Sequence, residues 1–139
     1  MEAYENGGHA YHATMPTDSL RRFRDIMKET EEYGFEKVRA EQQELGDKVR
    51  EMLVAKGIKS VASEGFQAPG VVVSYTDDKG IQTGKKFAEL GFQIAAGVPL
   101  QCDEPEDYQS FRLGLFGLDK LHNIGRTVEK LEKALDAIY

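Results

Sequence analysis

Arg112 stands inside the stretch Ser110-Phe111-Arg112-Leu113-Gly114-Leu115-Phe116-Gly117. The pattern predicts a short buried strand around which the rest of the chain packs. Phe111, Leu113 and Leu115 alternate and so share one face, while Arg112, Gly114 and Phe116 share the other. A guanidinium inside an apolar strand is costly to bury without an anionic partner. One such partner is the carboxylate of a ligand, which the planar fork grips through two parallel hydrogen bonds. Gly114, on the same face, leaves bare backbone where that ligand approaches. The other is an Asp or Glu of the same chain, and with 24 acidic residues to choose from composition favours this plainer pairing.

Other residues offer chemistry on weaker grounds. Gly80-Ile81-Gln82-Thr83-Gly84-Lys85 has a glycine spacing one residue short of a phosphate loop, and Lys86 stands where Ser or Thr should follow. Lys85 and Lys86 are read instead as a solvated helix face. His9, His12 and His122 lack metal spacing, so no metal site is expected. The acidic run Asp103-Glu104-Pro105-Glu106-Asp107 has neither the alternating ligands nor the turn glycine of a calcium loop and reads as an exposed connection. Cys102 is the single cysteine, which excludes an intrachain disulfide and is compatible with a cytoplasmic setting.

The elements that must position Arg112 follow from periodicity. Met1–Pro16 is a polar lead without a repeat pattern and is expected to be irregular. Thr17 or Asp18 caps a first helix carrying Leu20, Phe23 and Met27, which stops at Gly34. A second helix runs from about Phe35 to Lys56 with the stripe Val38, Gln42, Leu45, Val49, Met52 and Leu53, and Gly46 is its weak point. Lys59–Ala62 is a possible short strand. The β-branched run Val71–Tyr75 predicts a buried strand. Asp77 or Asp78 then caps a helix over about Ile81–Leu90, with Phe87 and Leu90 inward. Phe92–Ala96 is a further short strand, and Gly97–Gln109 a loop. After the Arg112 strand a last helix spans about Leu121–Ile138, with the stripe Leu121, Ile124, Val128, Leu131, Leu135 and Ile138. The order of elements predicts an α+β fold: a small, mostly antiparallel sheet with helices packed on one face, preceded by two helices.

The 139 residues suffice for one domain with a small core. A net charge of −6 without a basic run argues against a nucleic-acid surface. No apolar run approaches the ~20 residues of a membrane span, so no membrane is expected. Met1–Gly8 has neither the basic start nor the apolar stretch of a signal peptide.

Two stretches together resemble a known family. Tyr11-His12-Ala13-Thr14-Met15-Pro16, followed by a helix, is similar to the Tyr-His-x-Thr-x-Pro segment of class V pyridoxal-phosphate aminotransferases, nearest the alanine–glyoxylate and serine–pyruvate group. Gly97-Val98-Pro99 and Phe111-Arg112-Leu113-Gly114 with Gly117 resemble the end of the same proteins. The resemblance covers essentially the whole chain. It implies a lead segment over 1–16 and an aminotransferase C-terminal small domain over 17–139.

The resemblance also implies roles. Tyr11 and Thr14 would reach across a homodimer to the phosphate of pyridoxal 5′-phosphate in the other subunit. Arg112 would clamp the substrate α-carboxylate. The reaction would move an amino group from alanine or serine to glyoxylate or pyruvate. In the family a large N-terminal domain supplies the Schiff-base lysine ahead of the Tyr-His-x-Thr segment. Here only ten residues precede Tyr11 and none is lysine, so the chain is expected to be an inactive part of such an enzyme, with no catalytic residue of its own. A stand-alone ligand-binding or dimerisation domain, or another class V chemistry such as desulfuration, are the rival expectations.

Overall fold

The computed structural model describes residues 2–8 and 14–139. The chain divides into two compact units, one ending at Gly34 and one running Phe35–Tyr139. The division therefore falls inside the stretch read as one domain from Thr17 onward. In the first unit the lead is not wholly irregular, because Glu2–Glu5 forms a short helix, α1. Helix α2 spans Thr17–Tyr33 and ends at Gly34, whose N–H bonds the Thr30 carbonyl. Neither Thr17 nor Asp18 caps it: Pro16 occupies the cap position and no side chain bonds there. A cap bond needs an acceptor on the cap side chain, and the proline ring has none. Leu20, Phe23 and Met27 are exposed.

The second unit is an α+β layer. Helix α3, Phe35–Ala55, is followed by strand β1, Val71–Tyr75. Helices α4, Lys79–Gln82, and α5, Lys85–Glu89, come next, then β2, Ala95–Ala96, and β3, Ser110–Gly114. Helices α6, Leu118–Leu121, and α7, Ile124–Ile138, close the chain. The strands form an antiparallel sheet of order β1-β3-β2, which puts the Arg112 strand in the middle. Val72 pairs with Leu113, Val73 with Arg112 and Ser74 with Phe111, while Ala95 faces Arg112 from the other side.

One sheet face is the core. Phe111, Leu113, Leu115 and Val72 point into it and meet Leu45, Val49, Met52 and Leu53 of α3, Leu131 and Leu135 of α7, and Ile81 and Phe87 of the short helices. The Phe87 and Phe111 rings lie 5.9 Å apart. Gln42, polar within an apolar stripe, spans to the loop before β1 and donates to the Pro69 carbonyl at 3.1 Å. Gly46 also has a local reason: a Cβ there would lie 2.7 Å from the Pro69 oxygen, so its helix cost of ~1 kcal/mol is exchanged for close approach of that loop.

Several expectations are corrected. The third helix is two short ones, broken where Gly84 takes φ 77°, and Leu90 is 43% exposed rather than inward. Of the two cap candidates, Asp78 is the cap as expected, accepting from the Gly80 and Ile81 N–H groups. The last helix is interrupted at His122–Asn123, where the Asn123 side chain accepts from Arg126 N–H at 3.0 Å and restarts it. Lys59–Ala62 makes single ladder bonds, Val61 N–H to Val73 O and Tyr75 N–H to Lys59 O, and a bridge at Ser60 without becoming a strand. β1 is buried on one face only, with Val71 and Val73 half-buried and Tyr75 exposed.

Candidate functional site

Arg112 is carried on the face of β3 away from the core, as alternation requires. Its row across the sheet is Val73–Arg112–Ala95. Along the strand Ser110 and Gly114 share its face. The side chain is half-buried, and its Nε donates to the Ala96 carbonyl at 2.9 Å. That bond fixes the guanidinium plane and leaves the two terminal nitrogens without an acceptor among the described residues. Arg112 forms no ion pair among them either; the acidic residues that pair do so with Lys37, Lys48, Lys56, Lys86, Lys120, Lys133, Arg21 and Arg24. The intrachain ion pair that composition favoured is thus not formed among the described residues. Gly114 is exposed, and a Cβ there would sit 3.7 Å from the Phe116 ring, an ordinary contact, so the backbone beside Arg112 is open. Phe116, 61% exposed, and Tyr75 extend the same face as apolar surface.

Of the other residues assigned by resemblance, Thr14 is exposed and belongs to the unit that ends at Gly34. Arg112 belongs to the other unit. Tyr11 lies outside the described residues, as do His9 and His12. Among the described residues no group of three or more His, Cys, Asp and Glu side chains is placed to hold a metal ion. No helix among them is long and apolar enough to cross a membrane. Lys86 is not a solvated bystander: its Nζ lies 2.5 Å from Asp78, and this bond, with the Ile81 N–H, lowers the Asp78 pKa.

The acidic loop is built rather than merely exposed. The Glu104 carboxylate accepts from the backbone N–H groups of Leu100, Gln101 and Cys102 at 2.6, 2.9 and 2.8 Å. The Cys102 bond first, then Gln101, hold its pKa down to about 2. Gln101 and Asp103 adopt positive φ to close the turn. Gly97 lets this loop lie against β3, since a Cβ there would stand 1.8 Å from the Ser110 carbonyl oxygen.

Between loop and strand is a cleft of about 280 Å³ lined by Gln82, Gly97, Glu104, Tyr108 and Ser110 among others. Sequence reasoning missed it. Only Ser110 carried a signal, its place two residues from Arg112 on the same face; Gln82 and Tyr108 come from a helix turn and an aperiodic loop. No protein-family model matches this chain, and no curated protein matches it either.

Proposed function

We propose that the open sheet face around Arg112 binds the carboxylate of a small amino acid or 2-oxo acid, and that the chain is the C-terminal part of a pyridoxal-phosphate-dependent transaminase. The observation that carries this is the state of Arg112: a central-strand guanidinium aimed by the Ala96 carbonyl, with its terminal nitrogens unclaimed among the described residues and no carboxylate of its own unit paired to it. A carboxylate fits that fork in bidentate fashion. Orientation set in advance lowers the ordering cost of binding. Val73 and Ala95 are small flanks that leave the fork accessible. The class of reaction rests on the resemblance of the Tyr11–Pro16 and Gly97–Gly117 segments to the aminotransferases.

The resemblance assigns pyridoxal phosphate to a large domain outside this sequence, which would carry the Schiff-base lysine, with Tyr11 and Thr14 reaching the phosphate from a partner subunit. What this chain contributes is the grip and orientation of the substrate carboxylate.

The test is an assay of the natural full-length protein containing this sequence, supplied with pyridoxal phosphate. Transfer from alanine or serine to glyoxylate or pyruvate is expected. Sulfur release from cysteine without transamination would move the reading to desulfuration. No turnover, together with a natural start at Met1, would instead leave a stand-alone ligand-binding domain.

A further inference from the structure

We propose that α2 is a self-association surface: two copies of this chain pair through it, antiparallel, about a two-fold axis at the midpoint between Ile26 and Met27. This does not rest on the transaminase reading. Leu20, Phe23, Ile26, Met27 and Thr30 recur at helical spacing and form one stripe. None of them is buried, and Phe23 is 64% exposed. The Thr30 hydroxyl donates to the Ile26 carbonyl at 2.8 Å, so its polar group is already satisfied within the helix. A helix of 17 residues is marginal in water on propensity alone and draws its stability from packing such a face. The stripe therefore calls for a partner.

The charges identify that partner as a second copy. Glu31 and Glu32 occupy the last turn, which holds no basic residue, against the preference of the helix dipole. Arg21, Arg22 and Arg24 gather in the first half. Counted outward from the Ile26–Met27 midpoint, Asp25 matches Lys28, Arg24 matches Glu29, Arg22 matches Glu31 and Arg21 matches Glu32. A copy running the other way thus meets opposite charge at each of these levels, which is the self-complementarity a two-fold interface needs. The contacts follow from helix geometry. Arg24 and Glu31 lie two turns apart along one flank of the stripe, and Arg22 and Glu29 along the other. In the antiparallel pair each of these arginines comes within about 3 Å, measured along the axis, of the glutamate on the same flank of the second copy. A parallel pair would instead set Arg24 against Arg22 and Glu31 against Glu29. Among the described residues Arg22, Glu29 and Glu31 form no ion pair. Arg24 pairs with its exposed neighbour Asp25 at 2.6 Å, a contact that exchanges at little cost.

The experiment is sedimentation equilibrium of the 139-residue chain over a wide concentration range, with far-ultraviolet circular dichroism on each sample. A monomer–dimer equilibrium is expected. Ile26→Asp sets two carboxylates beside the two-fold axis and should leave only monomer. Glu31→Arg is the sharper variant. It lowers the net negative charge and suits the helix dipole, so both general effects favour association. It nevertheless turns both Arg24 contacts repulsive and should weaken dimerisation about tenfold, with helicity kept. Arg24→Glu combined with Glu31→Arg puts opposite charges back on that flank and should return the parent affinity. The proposal is overturned by a chain that stays monomeric at every concentration, which means that no second copy covers the stripe. A dimer that survives Ile26→Asp places the interface elsewhere and overturns it equally. So does Glu31→Arg that leaves affinity unchanged or tightens it, the latter being the mark of parallel pairing, and so does a charge swap that fails to restore association.

Discussion

Phe111 and Arg112 are neighbours in the chain and stand on opposite faces of the central strand. Phe111 is wholly buried, its ring tilted against that of Phe87, and enclosed by α3 and α7. Arg112 is half-buried, holds one backbone carbonyl and offers the rest of its fork outward. The contrast runs across the sheet. Val72 and Leu113 are closed in the core, while Val71, Val73, Tyr75, Gly114 and Phe116 leave the other side partly or fully open. A face that buries apolar area stabilises the fold. A face that leaves a cation without a counter-charge stabilises little and is available for binding.

The largest effects should come from the closed face. Phe111→Ala should cost about 3–5 kcal/mol and Leu131→Ala about 2–5 kcal/mol in denaturant titration. A loss below ~1 kcal/mol at either would mean that the helices do not close that face as described. Next is the junction between the faces. Gly97→Ala places a methyl against the Ser110 carbonyl and should cost about 1–3 kcal/mol, with loosened β2–β3 amides in hydrogen exchange. An unchanged midpoint would show that the loop can move off the strand.

A smaller effect is expected from acid. The folded Glu104 pKa of about 2 lies below its ordinary 4.5. The folded state therefore favours the ionised form, and the stabilisation is complete above about pH 4.5 and lost as pH falls toward 2. The Leu100, Gln101 and Cys102 amide shifts should titrate together near pH 2, and in Glu104→Gln that titration should vanish. Titration near pH 4.5 would mean the carboxylate does not hold those amides.

Much of the closed face was legible in the sequence because burial writes itself as periodicity. The α3 and α7 stripes and the alternation of β3 could be read from apolar spacing alone, as could the placement of Arg112 opposite Phe111. What could not be read came from contacts without a period. Gln42 and Gly46 serve a loop more than twenty residues away. The continuous Val71–Val73 run predicted a buried strand, but only one of its faces is closed, because apolar type does not distinguish a covered face from an open one. The cleft is assembled from a helix turn, a loop and a strand, and so is a property of the folded arrangement. The Glu104 turn looked like an acidic run because composition does not reveal which backbone N–H groups a carboxylate will collect.

The most direct measurement is Arg112→Lys in the natural full-length protein, read as kcat/KM for its amino-acid substrate with the unfolding midpoint recorded on the same sample. Lysine keeps the charge and loses the bidentate fork. A charge-assisted hydrogen bond contributes about 1.5–3 kcal/mol, so kcat/KM should fall ten- to a hundredfold or more, while the midpoint stays close to that of the parent. A midpoint that drops as far as that of Phe111→Ala, with kinetics nearly unchanged, would make Arg112 a structural residue and contradict the account.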